Sequence, residues 1–68
     1  MNKLSIRLKE CLKDLNISQS SLAREIKMSQ SVVNNYCTGK REPSLDTLIL
    51  ISKALGETTD YLLGADEF

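Results

Sequence analysis

Four polar side chains that can read nucleic-acid bases fall within one short segment, at Gln30, Ser31, Asn34 and Asn35. Their steps of one, three and one residues place them together on the outward face of a helix spanning about residues 30–37. Glutamine and asparagine amides can pair bidentately with adenine, and serine can donate or accept. Lys and Glu form helix better than Asn and are more usual on a surface helix. The segment therefore predicts base readout, and an ordinary polar surface is the alternative.

Two cations, Lys40 and Arg41, follow this segment in the chain. Beside a base-reading helix they would reach phosphates, whose contacts position a protein without specifying a sequence. Residues 1–43 carry eight Lys and Arg against four Asp and Glu, whereas residues 44–68 carry one against five, although the net charge of the chain is zero. Such charge asymmetry indicates a polyanionic partner, and chance in a short chain is the alternative.

Two short helices must position these groups, and each begins at a serine, Ser18 or Ser29. A serine hydroxyl can accept a hydrogen bond from an otherwise unpaired amide of the first turn. Only Lys27 and Met28 lie between the first of these helices and Ser29, so the two helices must cross at a steep angle. The small side chain of Ala23 leaves room for the helices to cross closely. The pattern predicts a helix-turn-helix unit, whose second helix is shaped to enter a DNA major groove.

The whole chain is predicted to form one all-α domain, a compact five-helix bundle spanning residues 1–68. Its residues are 41% hydrophobic but only 4% aromatic, which favours helices over a β-sandwich. The apolar periodicity predicts helices over five segments, at about 3–14, 19–26, 30–37, 45–55 and 59–63. An acidic tail, residues 64–68, is expected to be mobile.

The first predicted helix has an apolar side and a charged side. Its apolar positions recur at steps of four, three, one and three, at Leu4, Leu8, Cys11, Leu12 and Leu15. The other side, which we expect to be solvated, carries Lys3, Arg7, Lys9, Glu10, Lys13 and Asp14. Asn16 should end this helix in the left-handed conformation, which asparagine tolerates.

Residues for several other kinds of chemistry are missing. Cys11 and Cys37 lack metal-site spacing, and the chain contains no histidine. The sequence shows no cysteine beside a plausible base, no glycine-rich loop that could bind phosphate and no pair of buried carboxylates. We therefore expect no enzymatic activity and no cofactor. No secretory segment opens the sequence and no apolar run reaches membrane-spanning length. We therefore expect a soluble, cytoplasmic protein with no membrane partner.

Three stretches resemble the lambda-repressor-like (Cro-type, xenobiotic-response-element) helix-turn-helix family: ISQSSLAREI, TGKREPSLDTLILISKALG and TTDYLLG. The resemblance covers nearly the whole chain, from about Leu4 to Leu63. It implies five helices and sequence-specific binding to operator DNA, usually as a dimer on a two-fold site. By position, Gln19 looks like the family glutamine that contacts the DNA backbone and braces the recognition helix. The family's base-reading positions carry Gln30, Ser31 and Asn35 here.

The chain departs from the family pattern at three places. Lys27 stands where the family usually has glycine in the turn, which implies a lysine strained by about 1–2 kcal/mol at positive φ, or an altered turn. Some family members have an arginine paired with a glutamate at the positions that Leu12 and Cys37 occupy here. An apolar pair can substitute for a buried ion pair. We therefore expect the side chains of Leu12 and Cys37 to touch. Leu50 stands where a charged residue is common. A self-association patch would form around it with one or more neighbours: Tyr61, Leu63 or Phe68.

These features predict a DNA-binding transcriptional regulator of bacterial or phage origin, acting as a repressor. Two protomers would insert their third helices into the major groove about 34–36 Å apart on a two-fold operator. The rival interpretation is a protein-interaction module, such as an antitoxin or an anti-repressor, that uses the same fold to bind another protein. The zero net charge and the exposed apolar candidates keep that interpretation open.

Overall fold

The structure is a computed structural model that describes residues 2–67, and the regular elements within that range are all helical. The elements are α1 (Leu4–Leu15), α2 (Gln19–Glu25), α3 (Gln30–Thr38), α4 (Leu45–Leu55), α5 (Thr59–Leu63) and a 3₁₀ turn (Ala65–Glu67). The prediction of an all-α, five-helix fold is confirmed, and each α-helix begins and ends within one residue of its predicted bounds. None of the helices in residues 2–67 combines the length and apolar character that crossing a lipid bilayer requires.

Side-chain caps define where the last four α-helices begin. At each start a hydroxyl oxygen accepts a hydrogen bond from the main-chain amide three residues later, 3.0–3.2 Å away, at Ser18, Ser29, Ser44 and Thr58. Left-handed residues end four of the helices, at Asn16, Gly39, Gly56 and Gly64. The predicted left-handed end at Asn16 is confirmed. Hydroxyl caps and left-handed ends satisfy main-chain groups that a helix terminus otherwise leaves unpaired.

The core lies among the five α-helices, and α3 packs against both α1 and α2. Every α-helix contributes to it, through Leu4, Leu8, Cys11, Leu12, Leu22, Ala23, Val33, Tyr36, Cys37, Leu48, Ile51, Leu55 and Leu62, together with Ile26 at the end of α2. Ala23 is only 3% exposed, as its role in a close helix crossing requires. Leu12 and Cys37 both lie in this core, and the direct contact between them stays a prediction.

The expected solvated position of Arg7 is wrong, since its side chain is only 11% exposed. Its guanidinium donates hydrogen bonds to the carbonyl of Tyr61 at 2.7 Å, to Asp66 Oδ1 at 3.0 Å and to Glu67, and it stacks over the Tyr61 ring at 4.5 Å. Helical periodicity indicates which side of the helix a residue faces, but it carries no information about a distant segment that folds back over that side.

The predicted inward position of Leu15 is also wrong, since this residue is 48% exposed.

The acidic tail is packed against α1 rather than free, so the expectation of a mobile tail is wrong for residues 64–67. Ala65–Glu67 form the 3₁₀ turn, and Glu67 pairs with both Lys3 and Arg7. The amide of Lys3 also donates to the carbonyl of Leu63 at 3.1 Å. Phe68, a suggested part of the self-association patch, lies outside the described residues.

Candidate nucleic-acid interface

The outward face of α3 is polar and open to solvent. Gln30, Ser31 and Asn34 are exposed, and Asn35 is half-buried at the edge of the same face. The opposite side of the helix is buried in the core through Val33, Tyr36 and Cys37. The structure therefore brings together the four residues predicted to read bases, on a surface that the bundle does not cover.

The side chains on this face are not used to hold the helix in place. Within residues 2–67, the side-chain hydrogen bonds of α3 and its cap are made by Ser29, Tyr36 and Thr38. The side-chain amides of Asn34 and Asn35 therefore make no hydrogen bond within residues 2–67. Such a face suits hydrogen bonding to base edges, which present donors and acceptors in the major groove.

The turn between α2 and α3 is tight and is closed by main-chain hydrogen bonds. The amide of Lys27 donates to the carbonyl of Arg24 at 3.2 Å, and that of Met28 donates to the carbonyl of Ala23 at 2.8 Å. Lys27 lies at φ 58°, so the expected positive φ at a non-glycine residue is confirmed. The Tyr36 hydroxyl faces the Met28 sulfur at 3.8 Å. The turn and the core thus fix the angle at which α3 is presented.

The loop that follows α3 is anchored to the carbonyl of Asn35. This oxygen accepts hydrogen bonds from the main-chain amides of Lys40 at 3.0 Å and Arg41 at 3.3 Å, and from the Thr38 hydroxyl at 3.3 Å. Gly39 makes the sharp turn possible with a φ of 78°. The main chain of Lys40 and Arg41 is therefore fixed beside the polar face of α3, and both side chains are exposed.

The start of the chain contributes a contact that sequence reasoning missed. Asn2 Nδ2 donates to Glu42 Oε2 at 2.7 Å, and Asn2 Oδ1 accepts from the amide of Leu4 at 3.0 Å. The carboxylate next to Arg41 is thereby hydrogen bonded to a neutral group instead of to the arginine. An asparagine directly before the predicted helix is the signal that could have indicated the bond to the Leu4 amide, because Asn side chains commonly bond nearby main-chain amides. No local pattern indicates the bond to Glu42.

The basic half of the chain is less positive than its composition indicates. In the described part of the chain, the salt bridges are made by Lys3 and Arg7, both with the acidic tail. Lys40 and Arg41 are not neutralised in this way. The same holds for Lys9, Lys13, Arg24, Lys27 and Lys53, and Lys40 and Arg41 are the unpaired cations that directly follow α3 within residues 2–67.

Gln19 is the first residue of α2 and is half-buried. Within residues 2–67 its side chain forms no hydrogen bond to α3, so its bracing role stays a prediction. Its place directly after the Ser18 cap puts it at a helix N-terminus, where main-chain amides attract anions.

Both cysteines are buried and free. Burial is the main cause that raises the pKa of each thiol, and Glu57 adds to this effect at Cys11. Raised pKa values keep the thiols protonated at neutral pH, the form that is a poor nucleophile and metal ligand. No group of three or more potential metal ligands occurs among residues 2–67.

Comparison with known proteins places these features in context. A helix-turn-helix family model matches residues 8–62. The chain is 36% identical over 64 residues to the HTH-type transcriptional regulator ImmR of Bacillus subtilis (strain 168), covering 94% of this chain and 50% of ImmR. It is 37% identical over 59 residues to the uncharacterized HTH-type transcriptional regulator YqaE of the same organism, covering 87% of this chain and 51% of YqaE. The chain spans about half the length of the curated relatives it matches.

The same fold occurs in a solved repressor structure. The crystal structure of the P22 c2 repressor protein in complex with a synthetic operator matches with a TM-score of 0.86 and 28% sequence identity. The match covers 93% of this chain and 96% of that chain. The similarity thus extends over nearly all of the helical bundle and includes the helix-turn-helix.

Proposed function

Since this chain belongs to the lambda-repressor-like helix-turn-helix family, we propose that it is a DNA-binding transcriptional regulator that inserts α3 into the major groove. The observation that carries the proposal is the uncovered polar face of α3, joined through the carbonyl of Asn35 to the cations Lys40 and Arg41. It works by binding alone, without a chemical step, and as a regulator of transcription it acts in the cytoplasm.

Base reading is assigned to the polar face of α3. Gln30 and Ser31 lie in the first turn of the helix, the part of a recognition helix that comes closest to base edges. Asn34 and Asn35 follow one turn later on the same face. The two asparagines suit bidentate pairing with adenine, so we expect adenine-containing positions in the operator.

Phosphate contacts are assigned to groups on either side of the helix-turn-helix. Lys40 and Arg41 bind the DNA backbone after α3, and Gln19 binds it at the start of α2. These contacts fix the register of α3 in the groove and carry no sequence information themselves. With few cationic contacts per protomer, we expect modest affinity and a measurable loss of binding as the salt concentration rises.

Two copies are proposed to act together as a repressor on a two-fold operator. Half-sites one helical turn apart, about 34–36 Å, would present both α3 helices to the same side of the DNA. The P22 c2 repressor, whose structure was solved with a synthetic operator, supports operator DNA as the partner, and the pairing of two copies is part of the proposal.

Selection of bound sequences from a random DNA pool at two salt concentrations tests the proposal. A conserved, two-fold consensus should emerge, and binding to it should weaken as salt rises. Asn35→Ala should cost about 1–3 kcal/mol at one operator position and relax specificity there. Lys40→Ala should weaken binding to all sequences about equally and reduce the salt slope. Lys13→Ala, which removes an exposed lysine near the end of α1, is the matched charge control and should change neither.

Two results would contradict the proposal. If both Asn35→Ala and Lys40→Ala changed binding identically across all sequences, the division between base reading and phosphate binding would be wrong. If no sequence were enriched, and a second protein co-purified with the chain instead, the rival function as a protein-interaction module would replace it.

A further inference from the structure

The outer face of α4 carries large apolar side chains in contact with solvent. Leu45 is 79% exposed, Ile49 is 45% exposed and Leu50 is 49% exposed. The exposure of Leu50 agrees with the sequence-based expectation, whereas the exposure of Ile49 beside it was not expected. The other side of the helix is buried through Leu48 and Ile51, among others. The exposed residues are thus surplus to the core of this chain, and an exposed apolar patch is typical of a docking surface.

The two charged residues of α4, Asp46 and Lys53, lie on this same face and have opposite signs. They are seven residues apart, which corresponds to about two turns and about 10.5 Å along the axis, so both lie on nearly one line. Neither forms a salt bridge within residues 2–67. At 100° per residue, Ile49 and Leu50 fall midway between the two charges, one on each side of that line.

We propose that this face of α4 binds a second copy of the chain, with the two helices antiparallel about a two-fold axis between Ile49 and Leu50. In such an isologous contact every residue pairing occurs twice. Ile49 then packs against the partner's Ile49 and Leu50 against the partner's Leu50. Asp46 lies opposite the partner's Lys53, and Lys53 lies opposite the partner's Asp46. The order of charges along α4 is therefore complementary to itself only in the antiparallel arrangement.

The contact is small. Eleven helical residues span about 16 Å, and one helix face buries less than the roughly 800 Å² per partner of a standard interface. Dimers should therefore be weak and concentration-dependent in free solution. The apolar pair supplies most of the attraction, and the two charge pairs set the antiparallel orientation. This inference rests on the dimeric part of the proposed function and names the surface that serves it.

Sedimentation equilibrium of the full chain without DNA tests the inference by charge reversal and rescue. Asp46→Lys places two lysines opposite each other at both ends of the contact, and Lys53→Asp does the same with two aspartates. Each should lower the association constant by roughly 2- to 30-fold, since two exposed charge pairs are lost. The double variant carrying Asp46→Lys and Lys53→Asp restores opposite charges and should recover association. Leu50→Lys should abolish it.

Glu10→Lys, an equal charge change at an exposed position on α1, is the matched control and should leave association unchanged. Circular dichroism of each variant confirms that the chain is still folded. If the double variant were no better than either single variant, the antiparallel pairing would be overturned. A wild-type chain that stays monomeric up to its solubility limit would overturn the interface and leave this face to a partner of another kind. Neither result would touch base reading by α3, because the experiment contains no DNA.

Discussion

The main-chain carbonyl of Asn35 accepts a hydrogen bond from the main-chain amide of Lys40 at 3.0 Å. A residue proposed to read bases is thereby coupled, through its own backbone, to a residue proposed to bind phosphate. The same oxygen also accepts from the amide of Arg41. Because phosphate contacts set the position of a recognition helix in the groove, we expect this carbonyl to keep the two proposed kinds of contact in register.

Gly39→Ala should disturb that coupling. Gly39 lies at φ 78°, and an added Cβ would meet Ser5 Oγ at 3.6 Å, an ordinary contact. The cost therefore comes from the left-handed backbone, about 1–2 kcal/mol of unfolding free energy, measurable by urea denaturation. We also expect weaker operator binding, because the chain can relieve the strain by moving Lys40 and Arg41.

Gly56→Ala is the matched control for this substitution. Gly56 ends α4 at φ 69° with nothing within 4 Å of an added Cβ, so it should lose similar stability. It lies outside the proposed interface and should keep operator affinity once the folded fraction is taken into account. Equal losses of affinity in both variants would show that the loop after α3 is not specifically coupled to binding.

Lys27→Gly should stabilise the protein. Lys27 lies at φ 58°, and a side chain in that conformation costs about 1–2 kcal/mol. Glycine removes the strain but adds about 0.5–1 kcal/mol of unfolded-state entropy. The expected net gain in the free energy of unfolding is about 0–1.5 kcal/mol. Lys27→Ala removes the same charge but keeps Cβ, so it should gain much less, and equal gains in the two variants would argue against strain.

The features that local sequence determines were predictable. Ser18 and Ser29 mark helix starts because their hydroxyls accept main-chain hydrogen bonds three residues away, and the structure contains both. Asn16 and Gly39 mark helix ends for an equally local reason, since they adopt the left-handed conformation. The outward face of α3 followed from helical period alone. The helix boundaries and the outward face of α3 could thus be predicted from patterns that span only a few neighbouring residues.

The features that depend on distant residues were not predictable. Arg7 is buried because Asp66 and Glu67, some sixty residues later in the chain, fold over it. No periodicity in α1 distinguishes Arg7 from a solvated arginine. Asn2 and Glu42 meet across forty residues for a similar reason. Tertiary hydrogen bonds between charged or polar side chains carry no local pattern, and such bonds account for the main corrections to the predicted structure.

Ala23→Leu should overpack the contact between α2 and α3. Ala23 is 3% exposed and belongs to the core cluster, so three additional carbons must displace neighbours at a cost of about 1–3 kcal/mol. A lower melting temperature by calorimetry is the expected result. Ala54→Leu is the control, since Ala54 is half-buried beside a surface cleft next to Ile17 and has room to accept the larger side chain. A wild-type melting temperature for Ala23→Leu would refute the close crossing.

Acid should weaken the attachment of the tail to α1. The hydrogen bond from Lys3 is the main cause that lowers the pKa of Glu67 below its ordinary value of 4.5; partial burial opposes it, and the charges of Lys3 and Arg7 reinforce it. A carboxylate with a lowered folded-state pKa stabilises the fold fully above the unfolded-state pKa, and the stabilisation is lost as the pH falls through the folded-state pKa. Glu67→Gln should therefore lower the melting temperature at pH 7 and make little difference well below pH 4.

Glu57→Gln is the control, because it removes a carboxylate that forms no salt bridge in residues 2–67. It should change the melting temperature at pH 7 only slightly. A Glu67→Gln deficit that persisted unchanged in acid would mean that packing, and not charge, holds the tail.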